Sequence, residues 1–245
     1  KSAKKIKKFM KTFKLLGLLL TYPEGTVYSE SNELLQTLRS EAILPEKFIK
    51  KVETFLTTQK AQNLMAVQED YVETFDRGRA HCLHLFEHIH GESRDRGQAM
   101  IDLSETYAAK GLYIDNGELP DYLPLFMEYL SRCELKDATE LLGEAIDVVA
   151  VIGAKLKKRK SPYANIFTSI EVLSTIKADT EKIKTALREA HKDPETLEEL
   201  DKQWKEAEVF TGDPLTDVAA DSNTCNAFPN TMEALNKMAG GKNDS

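Results

Sequence analysis

Apolar residues recur along this chain at helical spacing. Ile6, Phe9, Met10, Phe13, Leu16 and Leu20 follow i, i+3, i+4, i+7 steps, so the basic start of the chain reads as one amphipathic helix stopping at Tyr22-Pro23. Leu34, Leu35, Leu38 and Ala42 predict a second helix. Pro45 opens a third at its first turn, with Phe48, Ile49, Val52, Phe55 and Leu56 on one face. Leu64, Val67, Tyr71 and Phe75 predict another element that ends or kinks at Gly78. Cys82, Leu83, Phe86 and Ile89 continue to Gly91, a C′ glycine. Ser93 suits an N-cap before Ala99, Met100, Leu103 and Tyr107.

Further on, GLYIDNGELPD is a loop ahead of a helix with Leu119, Leu123, Phe126 and Leu130 on its apolar side. Leu141, Leu142, Ala145, Val148, Val149, Ile152 and Leu156 predict one long helix. Ser161-Pro162 is an N-cap followed by proline at the first helical position, ahead of Ile166, Phe167, Ile170, Leu173 and Ile176. Asp193-Pro194 repeats that signal before Leu197, Leu200 and Trp204. No run alternates as a strand does, and Asn116-Gly117 lacks flanking strands. The pattern predicts an all-α, single-domain bundle of roughly eight to ten helices. It occupies residues 1–208, and a polar, poorly ordered tail covers 209–245.

Composition narrows the function. With 41% hydrophobic and 30% charged residues, the chain is globular rather than disordered. A net charge of −7 and a pI near 5.4 argue against nucleic acid and favour cationic partners. Cys82, Cys133 and Cys225 are odd in number and far apart, which fits a reducing cytoplasm and no disulfide framework. The uninterrupted apolar run at 15–20 is too short for a signal peptide core, and no stretch is long enough to span a bilayer.

The chemistry-bearing stretch is HLFEHIHGESRDRG at 84–97. His84, Glu87 and His88 spell H-x-x-E-H, which on a helix can bind zinc and place a carboxylate base, so a helical zinc-dependent hydrolase is the enzymatic alternative. Nothing in the sequence marks a third ligand. Phosphate-binding loops and a nucleophile elbow are absent, and GAKLKKRK at 153–160 reads as a solvated helix end.

Residues 71–100, YVETFDRGRAHCLHLFEHIHGESRDRGQAM, closely resemble the nitrate reductase molybdenum cofactor assembly chaperones, the NarJ-type or delta subunit proteins. Phe75–Arg79 and Leu85–Met100 match that family's pattern almost throughout. ELPDYLPLFMEYLS at 118–131 is similar to the E-x-P-D-H motif of the wider group of molybdoenzyme maturation chaperones, and LLTYPE at 19–24 is close to the family's opening. The pattern asks for Glu87, His88 and His90 but not for His81 or His84, so H-x-x-E-H reads as an accident of two extra histidines. Tyr122 stands where the family has histidine, and Met127 where it has leucine. A hydrogen-bonding or stacking role at Tyr122 survives that change; a titrating one does not.

The resemblance implies a cytoplasmic, non-enzymatic chaperone with no cofactor of its own. Its partner is the N-terminal segment of the apo catalytic (alpha) subunit of nitrate reductase, with cofactor-synthesis proteins as further partners. It assists insertion of bis-molybdopterin guanine dinucleotide into that client before membrane docking. A groove for an amphipathic, partly basic client helix needs an apolar trough edged with charge. Tyr71, Phe75, Leu83 and Phe86 are expected on one wall, and Leu123, Phe126 and Tyr129 on the other. Glu87, His90, Glu92, Glu118, Asp121, Tyr122 and Glu128 are expected to meet the client's polar groups. Arg77, Arg79, Gly91, Arg94, Asp95, Arg96 and Pro120 are expected to organise the loops around it, and Asp121 to cap the helix that follows it. Replacing Glu118 and Asp121 together is expected to weaken client binding while leaving thermal stability nearly unchanged.

Overall fold

The structure, a computed structural model, describes residues 9–90, 95–114 and 117–189. Within these it is all-α, with twelve α-helices and no β-strand beyond one isolated bridge. In chain order they are α1 (Lys11–Leu18), α2 (Gly25–Ser29), α3 (Ser31–Glu41), α4 (Glu46–Lys60), α5 (Leu64–Tyr71) and α6 (Leu85–His90). They continue with α7 (Asp95–Ala108), α8 (Leu123–Ser131), α9 (Leu135–Glu144), α10 (Ile146–Lys158), α11 (Ala164–Glu171) and α12 (Thr180–Glu189). Ten of them have seven or more residues, within the expected eight to ten; α2 and α12 have no predicted counterpart, and one predicted element is divided. The basic N-terminal pattern becomes α1, with Phe9 outside it and 55% exposed. The long helix expected over 141–156 breaks at Ala145 into α9 and α10.

One apolar core joins these helices. Its tightest seam is α1 on α8. A Cβ on Gly17 would stand 2.8 Å from Met127 Cβ and 3.0 Å from the Pro124 carbonyl oxygen, so glycine is what lets the two backbones approach. Phe13, Leu16 and Leu20 of the first segment and Leu123, Phe126, Met127 and Leu130 of α8 are all at 0% exposure, which places both elements at the centre of the core. Helix α11 packs on α1, and α4 and α10 pack on α11, with Tyr163 and Phe167 buried.

Local signals succeed and fail for identifiable reasons. Asn63 caps α5, its side chain accepting from Met65 N at 3.1 Å. Ser161 does not cap α11. The chain first makes a tight turn, with Ala164 N donating to Ser161 O and Asn165 N to Pro162 O, and the helix begins two residues late behind Tyr163. After α5 the helix widens into a π-helical turn over Val72–Asp76, in which Arg77 N donates to Val72 O. It gives way before Gly78 to a 3₁₀ turn at Arg79–His81. The Asp193-Pro194 helix signal, Ser93 and the tail at 209–245 lie outside the described residues.

Candidate functional site

The two motif stretches meet. His84 and Tyr122 form an antiparallel bridge: Leu85 N donates to Asp121 O at 2.9 Å, and Leu123 N donates to Leu83 O at 2.8 Å. The bridge puts the start of α6 against the start of α8. Asp121, at 0% exposure, lies at the centre. Its Oδ2 accepts from Phe86 N at 3.0 Å, and its Oδ1 accepts from His84 Nδ1 at 3.2 Å. Arg96 Nη2 of α7 lies 4.0 Å from the same carboxyl. Asp121 therefore satisfies an orphan N–H at the start of α6, not of α8, the helix that follows it in sequence. The expected cap is real but serves the other motif.

Around this clasp the expected organising residues are shared out. Glu87 binds Arg96 and lies 3.4 Å from Arg79 Nε, so one acid ties the 3₁₀ turn, α6 and α7 together. Pro120 is buried, and its carbonyl oxygen accepts from Tyr107 Oη at 2.9 Å. Tyr107 also packs on Tyr129, ring centroids 4.8 Å apart. Arg77 stands apart: it forms an exposed pair with Glu73 at 2.8 Å, one turn back, and takes no part in the clasp. Tyr122, half-buried, lies 3.3 Å oxygen to oxygen from Tyr71 and packs its ring 5.5 Å from that of His84. Tyr71 Oη also donates to Leu20 O at 3.0 Å, which ties the clasp to the end of the first helical segment. Burial pushes the Tyr122 and Tyr71 hydroxyls up, so both stay protonated.

The expected trough is corrected. Tyr71, Phe75, Leu83, Phe86, Leu123, Phe126 and Tyr129 all lie within the core, each at 4% exposure or less. The two sets do not form facing walls: the bridge joins Leu83 to Leu123, while Phe75 packs on Tyr71 and Tyr163, and Tyr129 packs on Tyr107. The polar residues divide as well. Glu118 is exposed, while Glu87 and Asp121 are committed to internal partners. Burial acts to raise the Glu128 carboxyl, but Lys14 at 2.8 Å and Arg132 at 3.6 Å outweigh it and hold the group below its ordinary range. Gly91, Glu92 and Arg94 lie outside the described residues, as do the side chains of His90 and Asp95.

The zinc arrangement does not form. His84 precedes α6 rather than sharing a helical face with His88, and its Nδ1 donates to Asp121. His88 Nε2 donates to Cys82 O at 2.8 Å. Among the described residues no three of His, Cys, Asp or Glu group as a metal site. Burial lowers the pKa of His88 to about 4; for His81, burial first, then Arg159 and Lys155, lower it to about 4. The residue that sequence reasoning missed is His84, set aside as accidental yet bonded to the buried Asp121. Only the pairing of two segments far apart in sequence reveals it.

Known proteins place the chain. The family model for the nitrate reductase delta subunit matches residues 24–169. The nitrate reductase molybdenum cofactor assembly chaperone NarJ of Escherichia coli K12 is 36% identical over 80% of this chain and 82% of its own length. The NarW protein of the same organism is 36% identical over 89% of this chain and 91% of its own. A solved Archaeoglobus fulgidus structure, described as a redox enzyme maturation protein, shares the fold with a TM-score of 0.50 at 18% identity, covering 70% of this chain and 98% of that one. No helix among the described residues is long and apolar enough to cross a membrane. A match over more than half the chain, spanning both motif stretches that meet at the Asp121 clasp, makes this chain a member of the nitrate reductase delta subunit family, the NarJ-type molybdenum cofactor assembly chaperones.

Proposed function

We propose that this chain is a non-catalytic maturation chaperone for nitrate reductase. It binds the N-terminal segment of the apo catalytic subunit in the cytoplasm. It holds the client competent for insertion of bis-molybdopterin guanine dinucleotide and delays membrane docking until insertion is complete. The cofactor is the client's; the chaperone retains none.

The observation that carries this is the union of the two motif stretches at one buried carboxyl, with Glu118 of the second motif exposed beside it. The buried members hold α6, α7 and α8 in register. Exposed acids on a chain of net charge −7 supply attraction for a basic client segment. Titration calorimetry of the protein with a peptide of the catalytic subunit's N-terminus tests it, beside a scrambled peptide of equal charge. Binding of the native sequence at roughly micromolar Kd, with the scrambled peptide at least tenfold weaker, is expected. Equal binding of both would reduce the interaction to charge alone and refute a sequence-specific client.

A further inference from the structure

The antiparallel bridge sets His84 and Tyr122 directly opposite each other. Its two hydrogen bonds, Leu85 N to Asp121 O at 2.9 Å and Leu123 N to Leu83 O at 2.8 Å, flank the pair rather than join it. This is the non-hydrogen-bonded kind of antiparallel pair, in which the two side chains stand closest and on one face. The ring centroids are accordingly 5.5 Å apart, with the planes inclined by 36°. An imidazole at either position therefore reaches the same patch of surface. The second motif has tyrosine where its pattern has histidine, and a histidine that the first motif's pattern does not ask for stands across from it. The chain keeps an imidazole at this patch by carrying it on the other segment.

His84 is anchored on one side only. Its Nδ1 donates to Asp121 Oδ1 at 3.2 Å, and Asp121 is itself fixed by Phe86 N at 3.0 Å. That bond sets the orientation of the ring and its tautomer, leaving the lone pair at Nε2. The side chain is 28% exposed, and Nε2 has no hydrogen-bond partner among the described residues. His88, by contrast, turns its Nε2 inward to Cys82 O. Two exposed acids lie near: Asp76 acts electrostatically on His84, and both Asp76 and Glu118 act on Tyr122. A bare acceptor with two acids beside it suits a hydrogen-bond donor and disfavours another acceptor. The bond to Asp121 alone does not call for histidine, because asparagine supplies the same donor; the second nitrogen is what histidine adds.

We propose that, on the chaperone function given above, His84 is a specificity-determining residue: anchored at Nδ1 by Asp121, it presents Nε2 to an N–H or O–H donor of the client segment, in place of the histidine absent at 122. Asp121 and Tyr122 are then positioning residues, one through its hydrogen bond and the other through its ring face. Tyr122 is not available for the contact itself. Its Oη lies 3.3 Å from Tyr71 Oη, and because Tyr71 donates to Leu20 O, the Tyr122 proton is directed at Tyr71. A donor on the client that meets Nε2 in line is held, and a client with an acceptor or an apolar group there leaves Nε2 without a partner.

The test uses the full chain with the native and scrambled client peptides. His84→Asn keeps a donor for Asp121 where Nδ1 stood and removes the outward nitrogen. It is expected to leave the melting temperature at the wild-type value and to weaken the native peptide about fivefold, the worth of one hydrogen bond, with the scrambled peptide unchanged. His84→Tyr alone is expected to lose about fivefold as well, and adding Tyr122→His, which exchanges the pair, to bring affinity back to within about twofold of wild type. Heteronuclear spectra of the imidazole nitrogens, with His84→Asn to assign the resonances, are expected to show the His84 Nε2 signal moving on saturation with native peptide. Wild-type affinity in His84→Asn, a folded exchange variant no tighter than His84→Tyr, or an Nε2 signal unmoved by native peptide overturns the role of His84; if the wild type still discriminates the peptides, the chaperone function stands. A melting temperature that falls together with affinity in His84→Asn makes the residue structural and overturns the role too. A wild type that binds both peptides equally overturns the function and the role of His84 together.

Discussion

Asp121→Ala is the most informative single substitution. The side chain is at 0% exposure, and its two oxygens hold Phe86 N at 3.0 Å and His84 Nδ1 at 3.2 Å. Alanine leaves the Phe86 N–H buried with no acceptor, at a cost of about 1–3 kcal/mol. The lost His84 hydrogen bond adds about 1 kcal/mol. Arg96 retains Glu87 and is partly exposed, so the loss of its 4.0 Å contact adds little. The sum is about 2–4 kcal/mol, below the cost of orphaning a fully paired buried charge. Urea unfolding followed by circular dichroism reads it directly, and the melting temperature should fall by roughly 5–15 °C. Asp121→Asn keeps an acceptor for Phe86 N and should lose about half as much. A change below 0.5 kcal/mol for Asp121→Ala would refute the clasp as a structural element. This corrects the sequence expectation that Glu118 and Asp121 act alike: the double substitution should unfold the protein more easily, and the stability loss belongs to Asp121.

Glu118→Gln, at an exposed position, should leave stability within about 0.5 kcal/mol and weaken client peptide binding several-fold in low salt by calorimetry; unchanged affinity would remove Glu118 from the client surface. Gly17→Ala should cost about 1–3 kcal/mol, because the new methyl meets Met127 Cβ and the Pro124 backbone, neither of which can swing aside; a neutral or stabilised variant in urea titration would show that α1 and α8 separate easily. His88 is neutral when folded, with a pKa of about 4 against 6.5 unfolded, so the unfolded state binds the extra proton between these values and stability falls as pH drops through that window. The loss from His88 is on the order of 3 kcal/mol, and His88→Gln, which still donates to Cys82 O, should flatten the profile; equal pH slopes for the two proteins would show that His88 is charged in the native state. Cys82 has its thiol pushed up by burial, so alkylation at pH 8 should run slower than for a free thiol in the same buffer; an equal rate would contradict that environment.

The sequence by itself determined the fold class and most of the helices. Periodicity at 3.6 residues is a local property, and Ile49, Val52, Phe55 and Leu56, or Phe126 and Leu130, declare their buried face without reference to any other segment. The two motif stretches were also visible, because each is contiguous. Tertiary structure decided what the motifs do. A helical apolar stripe looks the same in sequence whether it meets another helix of the chain or a client, so Phe75, Phe86 and Phe126 read as groove walls yet lie in the core. An acid behind a proline looks like a cap for its own helix. Only the bridge between His84 and Tyr122 turns Asp121 onto Phe86 N instead. For the same reason His84 looked accidental. Its partner, Asp121, is supplied by another segment, and contacts between segments leave no periodic trace in the chain.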